Sequence, residues 1–242
     1  MSTLYMGASE ETVAKYVLFS GDPWRVEVVK KYLDNPKKVA FMREFNTYTG
    51  TYKGVEITVT STGIGAPSAA IAMEEMYESG MQVAVRMGTV MSMQDDMLGH
   101  FMIPIAAMRR EGTSQSYVDL SYPAVADVEL VNVMNETVQQ MGKRYLNGLN
   151  CTMDGFYSCM HDSKFSLECG RDMSKTFEEV KKLGVTGIDM ESSCILTVVT
   201  VLENLKETLK GQDRVDAEDL LCRTALEGIY NYHIKREDGK NE

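Results

Sequence analysis

The stretch from Thr58 to Glu75 reads TVTSTGIGAPSAAIAMEE, and it limits the architecture more than any other part of the chain. Thr58, Val59 and Thr60 are β-branched, as a strand prefers. Gly63 and Gly65 allow backbone angles and close approaches that a Cβ would block. Ser68 can cap a helix in which Ala69, Ala72, Met73 and Met76 recur at helical spacing, with Gly80 as the stop. A strand that turns through glycine into a helix start offers bare N–H groups to an anion. The dinucleotide fingerprint needs a third glycine where Ser68 stands, so that reading fits poorly. Taken alone, the stretch is equally compatible with an anion site and with a plain strand-to-helix connection.

Two further junctions follow the same plan. Tyr16 to Phe19 predicts a short buried strand that ends in Ser20-Gly21-Asp22-Pro23-Trp24-Arg25. Pro23 suits the first turn of a helix, which continues through Val28, Val29 and Tyr32 and breaks at Asn35-Pro36. Gln82 to Met87 predicts a strand leading into Arg86-Met87-Gly88-Thr89. Ligands of open α/β sheets sit at the carboxyl ends of strands, so three such tips point to one shared site. Between them lies a meander of Val39–Met42, Tyr48–Tyr52 and Val55–Thr60, with Arg43-Glu44-Phe45 at its first bend. Arg43 there fits a surface or salt-bridge role as well as a functional one.

The remainder alternates in the same manner. Strands are expected at His100–Met108, Tyr145–Met153 and Val185–Asp189. Helices are expected at Val128–Met141 (capped by Asp127), at Ser174–Leu183, from Met190-Glu191-Ser192-Ser193 onward, and at Asp219–Ile234. Gly155-Phe156-Tyr157 reads as a loop. With no repeat, low-complexity tract or linker, residues 1–242 read as one domain.

Composition removes several function classes. A net charge of -10 argues against general nucleic-acid binding, so an anionic ligand must be held by a few placed arginines. No apolar run is long enough to span a bilayer, and MSTLYMGASEE lacks a basic-then-apolar signal pattern. Five cysteines without a C-x-x-C pair suit reduced thiols in the cytoplasm. His100, His161 and His233 are not at metal-ligand spacing, so no metal is expected. The 18 scattered methionines read as core filling.

GDPWR (21–25), REF (43–45), STGIGAPS (61–68), RMGT (86–89), EGTSQSYV with YPAVADVE (111–129) and DMESS (189–193) together resemble the nucleoside phosphorylases of the uridine phosphorylase type. The resemblance implies an α/β fold, a three-layer αβα sandwich with a mixed, partly barrel-like central sheet. It implies phosphorolysis of a pyrimidine nucleoside, with inorganic phosphate as co-substrate, no other cofactor and no metal. It assigns phosphate to Gly21, Arg25, Arg86 and Thr89, with Arg43 reaching in from the neighbouring subunit. Arg86, Thr89 and Glu191 become the catalytic set. Tyr5, Thr89, Phe156, Met190 and Glu191 become the ribose and base contacts. A homodimer, or a hexamer built as a trimer of dimers, follows, with small-molecule partners, no nucleic acid and no membrane.

The chain also departs from that pattern. Tyr5 stands where the family has a sugar-contacting histidine, and bulky Val90-Met91-Ser92-Met93 follow RMGT. Met160 and Asp162 stand where uridine-specific members carry a glutamine and an arginine. Ile195 to Val201 runs almost directly into LENLKETLKGQD, as if the end of a helix were joined to the end of a strand. These departures define an alternative: a catalytically impaired paralogue or shortened isoform that keeps the fold and phosphate site and acts by binding or oligomerisation. A water-using nucleosidase would leave the phosphate arginines without a task.

Overall fold

The computed structural model of the chain describes residues 2–196, 199–204 and 212–238. Its centre is a parallel trio in which β1 (Tyr16–Ser20) lies between β4 (Val55–Ser61) and β5 (Val83–Ser92). β1 is buried along its whole length, as a strand covered on both faces must be. Its side chains alternate between two cores. Tyr16 and Leu18 face a cluster that includes Leu130 and Met134 of α4 (Val128–Gln140) and Leu221, Leu226 and Ile229 of α8 (Gln212–Asp238). Val17 and Phe19 face a second cluster with Ala69, Ala72 and Met76 of α2 (Ala66–Glu78). This period-two split is what places helices on both sides of the sheet, giving three layers.

On one flank the sheet continues antiparallel through β3 (Phe45–Tyr52) to β2 (Asp34–Met42) at the edge. On the other, β6 (Phe101–Arg110), β8 (Tyr145–Met153) and β9 (Val185–Asp189) run parallel to one another. The short β7 (Ala124–Val125) adjoins β6. β10 (Val199–Asn204) pairs with both β5 and β6, and β9 pairs with the far end of β5. The circuit β5–β10–β6–β8–β9 therefore closes on itself, which is the expected partly barrel-like sheet. Inside it, Gly187 is obligatory: a Cβ there would lie 2.7 Å from both Met102 Sδ and Val90 Cγ2.

The remaining helices are α1 (Pro23–Val29), α3 (Thr113–Tyr117), α5 (Lys164–Glu168), α6 (Met173–Lys182) and α7 (Ser192–Ile195). Several boundaries differ from expectation for local reasons. α1 ends at Val29 and tightens into a 3₁₀ turn over Lys30–Tyr32. β2 starts at Asp34 and contains Pro36, tolerable because an edge strand has one side without a ladder. Gly65, not Ser68, is the N-cap of α2, with Pro67 in its first turn; Ser68 Oγ instead donates to Thr62 O and Glu44 Oε1. The segment 155–157 is not a plain loop, because Phe156–Met160 form a single π-helical turn. The helix expected after Met190 is one turn long. Residues 197–198 and 205–211 of the shortened region lie outside the described residues. Met76, Met87, Met102 and Met134 are fully buried, in keeping with core filling.

Candidate active site

The carboxyl ends of β1, β4 and β9 meet the middle of β5, where Arg86 stands, at one place. Thr62 N donates to Ser20 O at 2.7 Å and ties the tips of β1 and β4 together. A Cβ on Gly21 would come within 3.5 Å of Gly63 O and 3.8 Å of Arg86 Nη2. Gly63 itself sits at φ 70°, and a Cβ there would be 2.7 Å from Glu44 Cγ. Gly63 is therefore held to glycine by its positive φ and by Glu44, while a Cβ on Gly21 would meet Gly63 O and Arg86 only at ordinary contact distance.

Arg86 projects from β5 into a buried carboxylate pair. Its Nη2 donates to Glu191 Oε2 at 2.5 Å and its Nη1 to Asp189 Oδ2 at 3.5 Å. Glu191 Oε1 accepts the Gly65 N–H at 2.6 Å, so this carboxylate occupies the N-terminus of α2. Asp189 is fixed in turn by Thr152 Oγ1 at 2.9 Å, by Ser192 N at 3.1 Å and by Ser192 Oγ. Burial pushes the Glu191 carboxyl above its ordinary range, while Arg86 pulls it back down. Nearby Glu111 shows the opposite balance: burial raises it, but hydrogen bonds from Ser114 and Ser193 outweigh that and hold it below the usual value.

Arg25 lies in the first turn of α1, whose cap is Asp22 accepting from Trp24 N at 2.8 Å. It is buried, and its Nη2 donates to Glu218 Oε1 of α8 at 3.3 Å. The Nε atoms of Arg25 and Arg86 are both buried without a protein partner. Buried donors of that kind are uncommon in a finished structure and point to a ligand that accepts from them.

The structure thus brings Gly21, Arg86 and Glu191 together, with Arg25 on the helix that follows Gly21. The other expected positions stand apart. Arg43 is exposed at φ 55°, with its guanidinium 5.3 Å from the Tyr5 ring centre. Tyr5 is anchored by its N–H to Glu75 at 2.8 Å. Among the described contacts none joins Tyr5, Arg43 or Phe156 to Arg86 or Glu191. Phe156 stacks on His161 at 5.5 Å and meets Tyr157 edge-on at 5.0 Å, forming a half-open aromatic group. Thr89 is exposed on β5, and Met190 is half-buried among Met91, Met93 and Met160. Asp189, Thr152, Gly65 N and Glu218 were not anticipated as site groups. Asp189 had a sequence signal, being an acid at a strand end one residue before Met190-Glu191.

The unusual residues after RMGT divide between the two faces of β5. Val90 is buried against Met102, while Met91 and Met93 pack on the cluster that holds Met160 and Ile188. Asp162 is exposed. Separately, a cavity of about 850 Å³ lies where α7 stops after one turn; Tyr77, Tyr117, Cys194 and Leu196 are among its walls. Gly21, Arg25, Arg86 and Glu191 do not line it.

Residues 15–202 match the profile of the Phosphorylase superfamily. A uridine phosphorylase of Thermococcus kodakarensis is 38% identical over 190 residues, covering 78% of this chain and 69% of that protein. A uridine phosphorylase of Treponema pallidum is 31% identical, covering 93% and 92%. The solved structure of uridine phosphorylase from Vibrio fischeri superposes with a TM-score of 0.83 at 31% identity, covering 94% of this chain and 96% of that one. The profile match, the sequence relatives and the structural superposition agree: the chain belongs to the phosphorylase superfamily.

Proposed function

We propose that the protein is a pentosyltransferase that cleaves a pyrimidine nucleoside with phosphate, converting uridine and phosphate to uracil and ribose 1-phosphate. The observation that carries this reading is the pair of buried arginines with unpartnered Nε donors beside a glycine-lined helix start. Permanently charged, planar donors and backbone N–H groups are what a phosphate dianion requires. The uridine phosphorylases among its relatives supply the substrate class.

In this reading Gly21, Arg25, Arg86 and Thr89 hold the phosphate, and Arg43 of a neighbouring copy completes the anion site. A phosphate oxygen attacks the anomeric carbon as the carbon–nitrogen bond breaks, and the electron pair leaves with the base, which takes a proton from water. Glu191 accepts hydrogen bonds from the sugar hydroxyls, and its charge favours an oxocarbenium-like transition state. Asp189, locked by Thr152 and Ser192, keeps the Arg86 fork in place. Met190 and Phe156 flank ribose and base, and Tyr5 is the residue that would take the sugar contact from the adjacent copy. Inorganic phosphate is the co-substrate and no other cofactor is invoked. The active unit is a homodimer or a trimer of dimers in the cytoplasm, and residues 1–242 act as one nucleoside phosphorylase-like domain. A paralogue that only binds is the weaker reading, because the relatives matched over most of the chain are uridine phosphorylases. Phosphorus NMR of a uridine and phosphate mixture tests the proposal: a sugar phosphate ester signal supports it, and unchanged inorganic phosphate refutes it.

A further inference from the structure

Around the two buried arginines the charges do not favour an incoming anion. Arg86 already contacts Glu191 and Asp189, and Arg25 contacts Glu218, so two guanidinium groups face three carboxylates. A phosphate dianion cannot join that set comfortably unless one carboxylate withdraws. The three are not equally buried. Asp189 accepts from Thr152 and Ser192, and Glu191 accepts from Gly65 N as well as from Arg86. Both are buried. Glu218 is the most exposed of the three, at 22% against 6% for Glu191 and 3% for Asp189, and its contact with Arg25 is 3.3 Å.

Glu218 also comes from a different layer. α8 is anchored farther along by Tyr52 Oη donating to Glu227 at 2.8 Å, by Asn231 Nδ2 donating to Thr137 at 3.0 Å, and by the Tyr16–His233 contact at 3.0 Å. One turn beyond Glu218, Cys222 is buried; burial pushes its thiol up to about 12, and the Arg25 charge acts on it in the opposite direction. The Glu218–Cys222 face of α8 is thus the surface against which Arg25 rests.

Resting on the phosphate reading above, we infer that Glu218 is a positioning residue that acts through Arg25. In the ligand-free protein its carboxylate stands in for the anion on Arg25. Phosphate binding displaces it, and Arg25 passes from an internal counter-ion to the substrate. The contact keeps a buried guanidinium neutralised between turnovers and sets a cost on phosphate capture.

The test is the isosteric substitution Glu218→Gln, which keeps the shape and a hydrogen-bonding oxygen but removes the charge. Each full-length protein is titrated with inorganic phosphate, following thermal protection from its own phosphate-free baseline and then steady-state kinetics. The expected result is half-saturation at roughly five- to tenfold lower phosphate in Glu218→Gln, a change of the size one partly buried charge contact exerts. The KM for phosphate should fall by the same factor, while the KM for uridine and kcat stay within about twofold. The gain should vanish when Arg25→Met is added. Equal or weaker phosphate binding by Glu218→Gln would overturn the inference, since a brace or a bystander would behave that way. If the unmodified protein showed neither phosphate protection nor phosphate-dependent turnover, the functional reading itself would fall, and this inference with it.

Discussion

Arg86→Ala is the most informative single perturbation, because Arg86 is both a proposed phosphate ligand and the partner of two buried acids. Arg86 is 3% exposed, and it contacts Glu191 and Asp189, which are 5% and 4% exposed. Removing one side of a buried ion pair leaves uncompensated charge and costs about 3–5 kcal/mol. At about 2–4 °C per kcal/mol for a chain of this size, the midpoint of thermal unfolding should fall by roughly 6–20 °C. The deficit must also depend on pH, with a fixed sign. Glu191 has a folded pKa above the reference value of 4.5, so its ionisation opposes folding as pH rises above that value. Losing Arg86 removes the attraction that limits this effect. The difference between variant and parent should be full near pH 8 and shrink as pH falls toward about 5. Thermal melts across this range, at a fixed chloride concentration and without phosphate, measure it directly. A variant as stable as its parent, or a deficit that grows in acid, would refute the buried-pair account. Turnover with phosphate should drop by at least about 10²-fold.

Other outcomes follow from the same geometry. Arg43→Ala should unfold within about 1 kcal/mol of the parent, since its ring contact with Tyr5 is exposed, yet lose activity. Mixed with Arg86→Ala subunits it should recover part of that activity through shared sites, and absence of any recovery would argue against a donated Arg43. Gly63→Ala should cost about 1–3 kcal/mol, because φ is 70° and the new Cβ meets Glu44 at 2.7 Å; a neutral effect on stability would show that the loop yields. Among the thiols, exposed Cys169 should react first with a disulfide reagent. Cys151 and Cys222, buried and pushed up to about 11 and about 12, should react only on unfolding, and early labelling of Cys222 would contradict the packing of α8 on Arg25.

Much of the fold was legible because glycine and proline mark its junctions. Gly21, Pro23, Gly63 and Gly65 stand at strand-to-helix turns, and the unbroken apolar run Tyr16 to Phe19 matches a strand covered on both faces. Tyr145–Met153 and Val185–Asp189 were readable to the residue, being β-rich runs between turn formers. Closure of the barrel was not readable from local pattern, since it depends on β10 lying between β5 and β6. β2 was underestimated because Pro36 looks like a breaker until the strand is known to be at the edge. In the site, Arg25 and Glu191 were visible as charged residues at helix starts, whereas Arg86, expected at a strand end, lies within the longer β5. The pairing in the site was not visible, because Arg86 and Glu191 are joined only when β5 and β9 come together. Glu218 gave no signal at all, being one acid among several on a charged helix, and only the packing of α8 on α1 sets it on Arg25.

The most direct measurement is uracil release from uridine by the purified protein, with and without inorganic phosphate. The account predicts release that requires phosphate, saturates with it, and yields ribose 1-phosphate in equal amount. Release that proceeds equally well without phosphate would make the protein a hydrolase. No release in either condition, with phosphate still raising the unfolding midpoint, would mean that the anion site is real and the reaction is not.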